Sequence, residues 1–250
     1  MVRSSLTEGQ GALVMFAADP MAMMGGPDPL KALVEDWGIK PQTDRQILRR
    51  MVLSDRTETA DSTIMINNWP DGLAVTKALS GMQGVFPRPC PLQIDSGKDK
   101  QVKHYVLAEA QTGQLWAETD MFSETPRYDA SKAAEKFTIA TAAEKDKGRL
   151  IVVADAFWAS DQVTTYGYFG RGTASITGAQ FPANAELFTN SVYWLAGLDQ
   201  LIAASARTQD IRRIDAMSPG GLATVRWGLP LAMSLITVCA GIGVWIMRRS

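Results

Sequence analysis

One uncharged stretch near the C-terminus constrains this chain more than any other feature. From Trp227 to Met247 it reads WGLPLAMSLITVCAGIGVWIM, closed by Arg248 and Arg249. About 20 apolar residues, each rising about 1.5 Å, cross the roughly 30 Å hydrocarbon core of a bilayer. Trp227 and Trp245 stand near the two ends, where amphipathic indoles favour the interface. Pro230 falls near the start, where a missing N–H matters least. The stretch therefore predicts a transmembrane helix over residues 227–247. Everything before it is too polar for membrane, so the expected layout is a globular domain over 1–204, a polar linker over 205–226, the span, and a basic tail over 248–250.

Composition excludes several function classes. Net charge is −1, with 25 basic against 26 acidic residues, so no basic field exists to hold nucleic acid. Cys90 and Cys239 are the only cysteines, and Cys239 falls inside the predicted span, which argues against an intrachain disulfide. His104 is the only histidine, which removes most zinc sites and most histidine-based triads. No metal and no cofactor is expected. The residues after Met1, VRSSLTEGQG, lack the apolar core of a signal peptide. That leaves either a tail anchor with the domain in the cytoplasm or a missing upstream segment. Arginines flank both ends of the stretch, so the positive-inside rule does not choose between orientations.

The first strand is read at Ala12–Ala17 (ALVMFA), stopping at Asp19-Pro20. A helix follows with Asp28 as N-cap, Pro29 at the first helical position and Gly38 past the end. Leu30, Leu33, Val34 and Trp37 give it one apolar face. Strand-like runs recur at Ile47–Leu53, Thr63–Ile66, Val102–Ala108 and Phe137–Ala142. Leu150–Ala154 (LIVVA) is the strongest, and its lack of alternation predicts burial on both faces. Pro87, Pro89 and Pro91 force extended structure or turns. A second helix is read over Ala183–Ala204, with Leu187, Trp194, Leu195 and Leu198 inward. Strands interleaved with helices point to an α/β domain with a mainly parallel sheet.

No GxxxxGK[ST] loop is present, so the chain is not itself a P-loop ATPase, and no GxSxG elbow follows a strand. Gly167, Gly170 and Gly172 lack dinucleotide-binding spacing and read as a turn. Cys90, between two prolines, reads as an inert thiol, and His104 as a rim residue on a strand. Two segments are candidate ligand or partner sites. Asp155, Trp158, Ser160 and Asp161 follow the LIVVA strand, and in open α/β sheets ligands settle at the carboxyl ends of strands. Trp116 and Glu118 pair an aromatic with a carboxylate in a predicted loop. In both places the plainer reading competes: a loop whose Asp and Ser satisfy backbone groups, and a Trp lid over the core.

These segments, in this order, resemble the auxiliary proteins of uncharacterised ABC transport systems, the gliding-motility-type family. The resemblance is carried by LVMFAADP (Leu13–Pro20), LVEDWGI (Leu33–Ile39), Trp116–Asp120, Gly148–Asp155, and Asn184 and Asn190 in a helix ending Trp194-Leu195-Ala196-Gly197. Leu73–Thr76 stands where the family has His-Pro-Ile-Thr, and Ala154 where it has Gly. Family members usually begin with a membrane helix and a further extracytoplasmic domain, so the chain corresponds to their C-terminal portion. The resemblance implies a flavodoxin- or class I amidotransferase-like α/β fold without catalytic residues. It implies a membrane-tethered accessory subunit partnered with an ABC permease, its ATPase and the lipid bilayer, with an unknown ligand. It also implies a single-pass cell-membrane protein with its α/β domain outside and its C-terminus in the cytoplasm. The competing readings are a membrane-anchored hydrolase or amidotransferase-like enzyme using Ser160, Asp155 or Cys90, and a generic anchored scaffold.

Overall fold

Asp28 and Gly38 bracket the first helix, as their residue types predict. In the computed structural model, α1 (Pro29–Glu35) begins with the Asp28 carboxylate accepting from the Leu30 N–H at 2.8 Å. The chain leaves it through Gly38 at φ 71°, a conformation that glycine adopts without strain. Leu33 and Val34 are buried, but Leu30 is 44% exposed, so the inward face is narrower than its spacing suggests. The structure describes Leu6, residues 8–22, 28–52, Arg56, 58–111, 114–123, 126–164, 181–205, and scattered positions beyond (226, 228, 230, 233–235, 245 and 247–249). Two compact units are separable, Met1–Arg207 and Thr208–Ser250, and every element below belongs to the first.

The strands are β1 (Gly11–Met15), β2 (Ile39–Pro41), β3 (Gln46–Val52), β4 (Glu58–Asp61), β5 (Ile64–Ile66) and β6 (Gly84–Phe86), of which β1, β3 and β5 fall on apolar runs. After the proline segment come β7 (Leu92–Ile94), β8 (Lys103–Ala110), β9 (Leu115–Glu118), β10 (Ala133–Ala134), β11 (Phe137–Lys145) and β12 (Gly148–Val153). The remaining helices are α2 (Ala74–Lys77), α3 (Asp161–Thr164), α4 (Pro182–Leu195) and α5 (Asp199–Ser205). A six-stranded sheet runs β1-β12-β11-β7-β2, with β8 also on β11. A four-stranded sheet runs β10-β9-β3-β4, and β5 pairs with β6.

The expected mainly parallel, flavodoxin- or amidotransferase-like sheet is not what forms. Only β1 and β12 pair in parallel among the described residues, from Gly11↔Arg149 to Met15↔Val153, while every other ladder is antiparallel. The reason is local. β11 and β12 are joined by Asp146 and Lys147 alone, with Lys145 opposite Gly148 and Asp146 at φ 53°. A two-residue link makes a hairpin and cannot make a crossover. Burial of Leu150–Ala154 on both faces does hold. Leu150, Val152 and Ala154 pack with Val14, Val34 and Ile39, while Ile151 and Val153 pack with Phe86, Trp158 and Trp194. A strand buried on both faces is apolar throughout whichever way its neighbours run, so the run fixed burial and left direction open.

The helix expected over Ala183–Ala204 is two helices. Leu198 N–H reaches back to the Tyr193 carbonyl at 2.9 Å and Gly197 N–H to the Trp194 carbonyl at 3.0 Å, with Gly197 at φ 72°. That is a Schellman stop, and Asp199 then opens α5. Leu187 and Trp194 face inward as expected, whereas Leu198 is 38% exposed.

Among the described residues, no helix is long and apolar enough to cross a membrane. The single-pass membrane placement, domain outside and C-terminus in the cytoplasm, is therefore not supported. Lack of charge is a property of composition, whereas a span needs an unbroken helix of about 20 residues that satisfies its own backbone. Most of 227–247, nearly all of the expected linker, and the Gly167–Gly172 turn lie outside the described residues.

Candidate functional site

Asp155 leaves the end of β12 and turns inward. Its Oδ2 accepts from the Arg88 N–H at 2.9 Å and its Oδ1 from the Phe157 N–H at 2.7 Å, and the residue is fully buried. Burial pushes the carboxyl up to about 6, against the pull of the Arg88, Phe157 and Trp158 backbone N–H groups. One residue earlier, the Ala154 carbonyl accepts from the Cys90 N–H at 2.8 Å, and the Pro89 carbonyl accepts from Ile47 of β3 at 2.9 Å. The proline segment is thus laced between the two larger sheets, and Asp155 is one of the laces. Cys90 is buried here, and burial first, then the Asp155 charge, pushes its thiol up to about 12. A thiol so placed stays protonated and unreactive at neutral pH.

The other residues expected on this rim separate by depth. Trp158 is fully buried, stacked on Phe86 with centroids 6.3 Å apart and 6.1 Å from Phe188. Ser160 is half-buried and its carbonyl accepts the first helical N–H groups of α3, from Val163 and Thr164, both at 2.9 Å. Asp161, the first residue of α3, is exposed. Of the four, Asp161 alone lies open to solvent.

Trp116 and Glu118 lie on β9 in the four-stranded sheet, away from the β12 strand end, and form a site of their own. Glu118 Oε1 accepts from the Thr119 N–H at 2.9 Å, the Asp120 N–H at 3.0 Å and Lys132 Nζ at 2.8 Å. Its Oε2 accepts from the Trp116 indole at 3.1 Å. Burial alone would raise this carboxyl, but Lys132, the Asp120 N–H and the indole outweigh it and hold the carboxyl below its ordinary value. Trp116 is fully buried, with Tyr128 edge-on at 5.6 Å. Trp116 is therefore the core residue of the plainer reading, and the segment is a β-strand rather than a loop. The carboxylate and indole organise the turn after β9 and present nothing to a ligand.

His104 lies on β8 and its Nε2 contacts the Trp37 carbonyl at 2.7 Å, joining the sheet to the end of α1. No cluster of metal-ligating side chains occurs among the described residues.

The role of Asn184 and one cleft escaped the sequence reading. Asn184 sits on the buried face of α4, where hydropathy predicts an apolar residue. Its Oδ1 accepts from the Val85 N–H at 2.8 Å, and its Nδ2 donates to the Val85 carbonyl at 2.7 Å and the Trp158 carbonyl at 2.8 Å. The amide therefore completes β6 as a neighbouring strand would. The second is a cleft of about 310 Å³ lined by Arg50, Glu58, Thr59, Pro126, Arg127 and Tyr128. Arg50 is fixed there by its ion pair with Glu58, by Gln114 Oε1 at 2.6 Å and by the Tyr128 ring 5.8 Å away. The one signal for it in the sequence is the Arg49-Arg50 pair within an otherwise apolar strand. Across the ladder Arg49 takes Asp61 at 2.8 Å.

No family model matches the chain, and no curated protein matches it. Among solved structures it is similar to an mmIFT52 N-terminal domain, at 14% identity and a TM-score of 0.47, over 78% of this chain and 68% of that one. A likeness this slight bears neither on function nor on the details of the fold.

Proposed function

We propose that this chain is a non-enzymatic accessory subunit that works by binding, beside the permease and ATPase of an ABC-type transport system. The observation that supports the binding half of this reading is the engagement, among the described residues, of Asp155, Glu118, Cys90 and His104 in the fold itself. Asp155 and Glu118 direct their oxygens at backbone N–H groups and, for Glu118, at Lys132 and the Trp116 indole. The Cys90 thiol is held protonated, and His104 is tied to a backbone carbonyl. General acid–base and nucleophilic catalysis need such groups within reach of a substrate atom. The transport half rests on the collinear motifs alone. Trp116 and Trp158 are buried, so neither indole offers a partner a contact surface.

Affinity capture of the tagged full chain from its native host, after mild crosslinking, tests this. Enrichment of an ABC permease together with its ATPase is the expected result. Recovery of the chain without them, under conditions that keep permease and ATPase together, sinks the transport reading. Hydrolytic turnover abolished by Ser160→Ala sinks the non-enzymatic one.

A further inference from the structure

The cleft on the four-stranded sheet is rich in donors and poor in acceptors. Among the described residues of the lining, Arg50 and Arg127 face a single carboxylate, Glu58, which is paired with Arg50. The lining therefore keeps one net positive charge in a chain whose total is −1. Arg127 is exposed and enters no ion pair among the described residues. Arg50 is immobilised before any ligand arrives, and the Tyr128 ring that backs it is braced edge-on against buried Trp116. A guanidinium fixed in advance loses little freedom on binding, which favours charge-assisted hydrogen bonds to a carboxylate. Tyr128 also lines a second hollow of about 300 Å³, together with Leu115, Ala133, Ala134, Gln114 and Glu135. It runs along β10, the last strand of its sheet. A cationic hollow and a largely apolar one, sharing a single tyrosine wall, match residues i and i+2 of an extended chain, whose side chains point the same way.

We propose that these two hollows form a docking site for an extended acidic segment of a protein partner, with a carboxylate seated at Arg127 and Arg50 and the apolar side chain two residues along against Tyr128, Ala133 and Ala134. Two guanidiniums are too few for a nucleic-acid backbone, whose binding draws on many phosphate contacts. Glu135 repels acid from the second hollow and fixes the direction of the segment. The site depends on the binding reading above but not on the partner being a transporter.

The probe, the Glu-Leu peptide, is fluorescein-labelled and repeats Glu-Ser-Leu-Ser, which puts Glu and Leu on one face of an extended chain; its control, the Gln-Leu peptide, repeats Gln-Ser-Leu-Ser, and both are followed by anisotropy against the purified full chain. The Glu-Leu peptide should bind with an affinity that falls as salt rises, and the Gln-Leu peptide should bind at least about tenfold more weakly, equivalent to about 1.4 kcal/mol. Arg127→Glu, at an exposed position that leaves the fold intact, should weaken the Glu-Leu peptide by at least as much, and Tyr128→Phe by a smaller factor. Equal binding of the two peptides, or an Arg127→Glu protein that binds like the parent, overturns the proposal. Displacement by millimolar inorganic phosphate with no preference between the peptides overturns it too, in favour of a simple anion site. Tight peptide binding with no permease or ATPase captured from cells leaves this site standing and removes the transport reading.

Discussion

Replacing Asn184 by alanine removes one acceptor and two donors from a place that water does not reach. The Val85 N–H, the Val85 carbonyl and the Trp158 carbonyl all lose their partner, and each bond is 2.8 Å or shorter in the parent. A buried backbone group left unsatisfied costs about 1–3 kcal/mol, the N–H more reliably than the carbonyls, which have a second lone pair. Together the loss comes to about 3–5 kcal/mol, a large share of the roughly 5–15 kcal/mol that holds a domain folded. Asn184→Asp separates hydrogen bonding from side-chain volume. Its ionised carboxylate can still accept from Val85 but points an oxygen at two carbonyls, so it should be worse than alanine at pH 7. The fold raises the pKa of this new carboxyl. Its contribution is therefore fully present below the ordinary Asp value near about 3.9 and is lost as pH rises through the folded value. Urea denaturation of the full chain followed by tryptophan fluorescence reads both variants, since Trp158 and Trp194 are buried in the adjoining core. An alanine variant within about 1 kcal/mol of the parent would refute the reasoning. So would an aspartate variant no worse than alanine at pH 7 with a flat pH profile.

Further outcomes follow from the same geometry. Val152→Asp places an unpaired carboxylate in an interior strand and should cost several kcal/mol, about enough to abolish cooperative melting; a melt within a degree or two of the parent, roughly under 1 kcal/mol, would move that strand elsewhere. Asp155 shifts from 3.8 to about 6, so it contributes stability below pH 4 that disappears as pH rises through 6. At about 1.4 kcal/mol per unit this amounts to about 3 kcal/mol, and the stability difference between parent and Asp155→Asn should change by about that much across the window. Glu118 has the opposite sign: its lowered pKa gives stability that is present above the ordinary Glu range and lost as pH falls through the folded value, and Glu118→Gln should flatten that acid limb in urea titrations at successive pH values. Iodoacetamide should label Cys90 in the folded chain orders of magnitude more slowly than in urea; equal rates would show that the thiol is not buried.

Positions of the strands were readable because apolar runs bounded by Pro, Gly and Asp leave few alternatives, as at β1, β8 and β12. Their directions were not, because pairing depends on links such as Asp146-Lys147 whose geometry is set by two residues. The break in the C-terminal helix had a signal, Gly197 followed by Asp199, which apolar periodicity concealed. Cys90 reads as inert from its flanking prolines, whereas burial is what keeps the thiol protonated. The two candidate tryptophans are buried for a different reason. Trp beside Asp or Glu is the pattern of a ligand contact and equally of a buried indole with a partner for its N–H, and Trp116 on Glu118 is the second. Asn184 was invisible to hydropathy because its value lies in which backbone groups it faces. The Arg50 cleft was invisible because Glu58, Gln114 and Tyr128 come from separate stretches of chain.

The parallel pairing of β1 with β12 also sets an order of events. Gly11 emerges early in synthesis, and its partner Arg149 comes only after ten intervening strands have been made. Until then the first strand has no edge to join, since β12 is its one neighbour in the sheet among the described residues. Joining ends so far apart in sequence is entropically slow, and the intervening antiparallel hairpins have nearer partners. The N-terminal strand is thus the last to dock, and the ribosome releases most of the domain before the large sheet is complete. Pulse-labelled hydrogen exchange during refolding should find β1 amides protected no earlier than those of β12, and earlier protection of β1 would break this sequence.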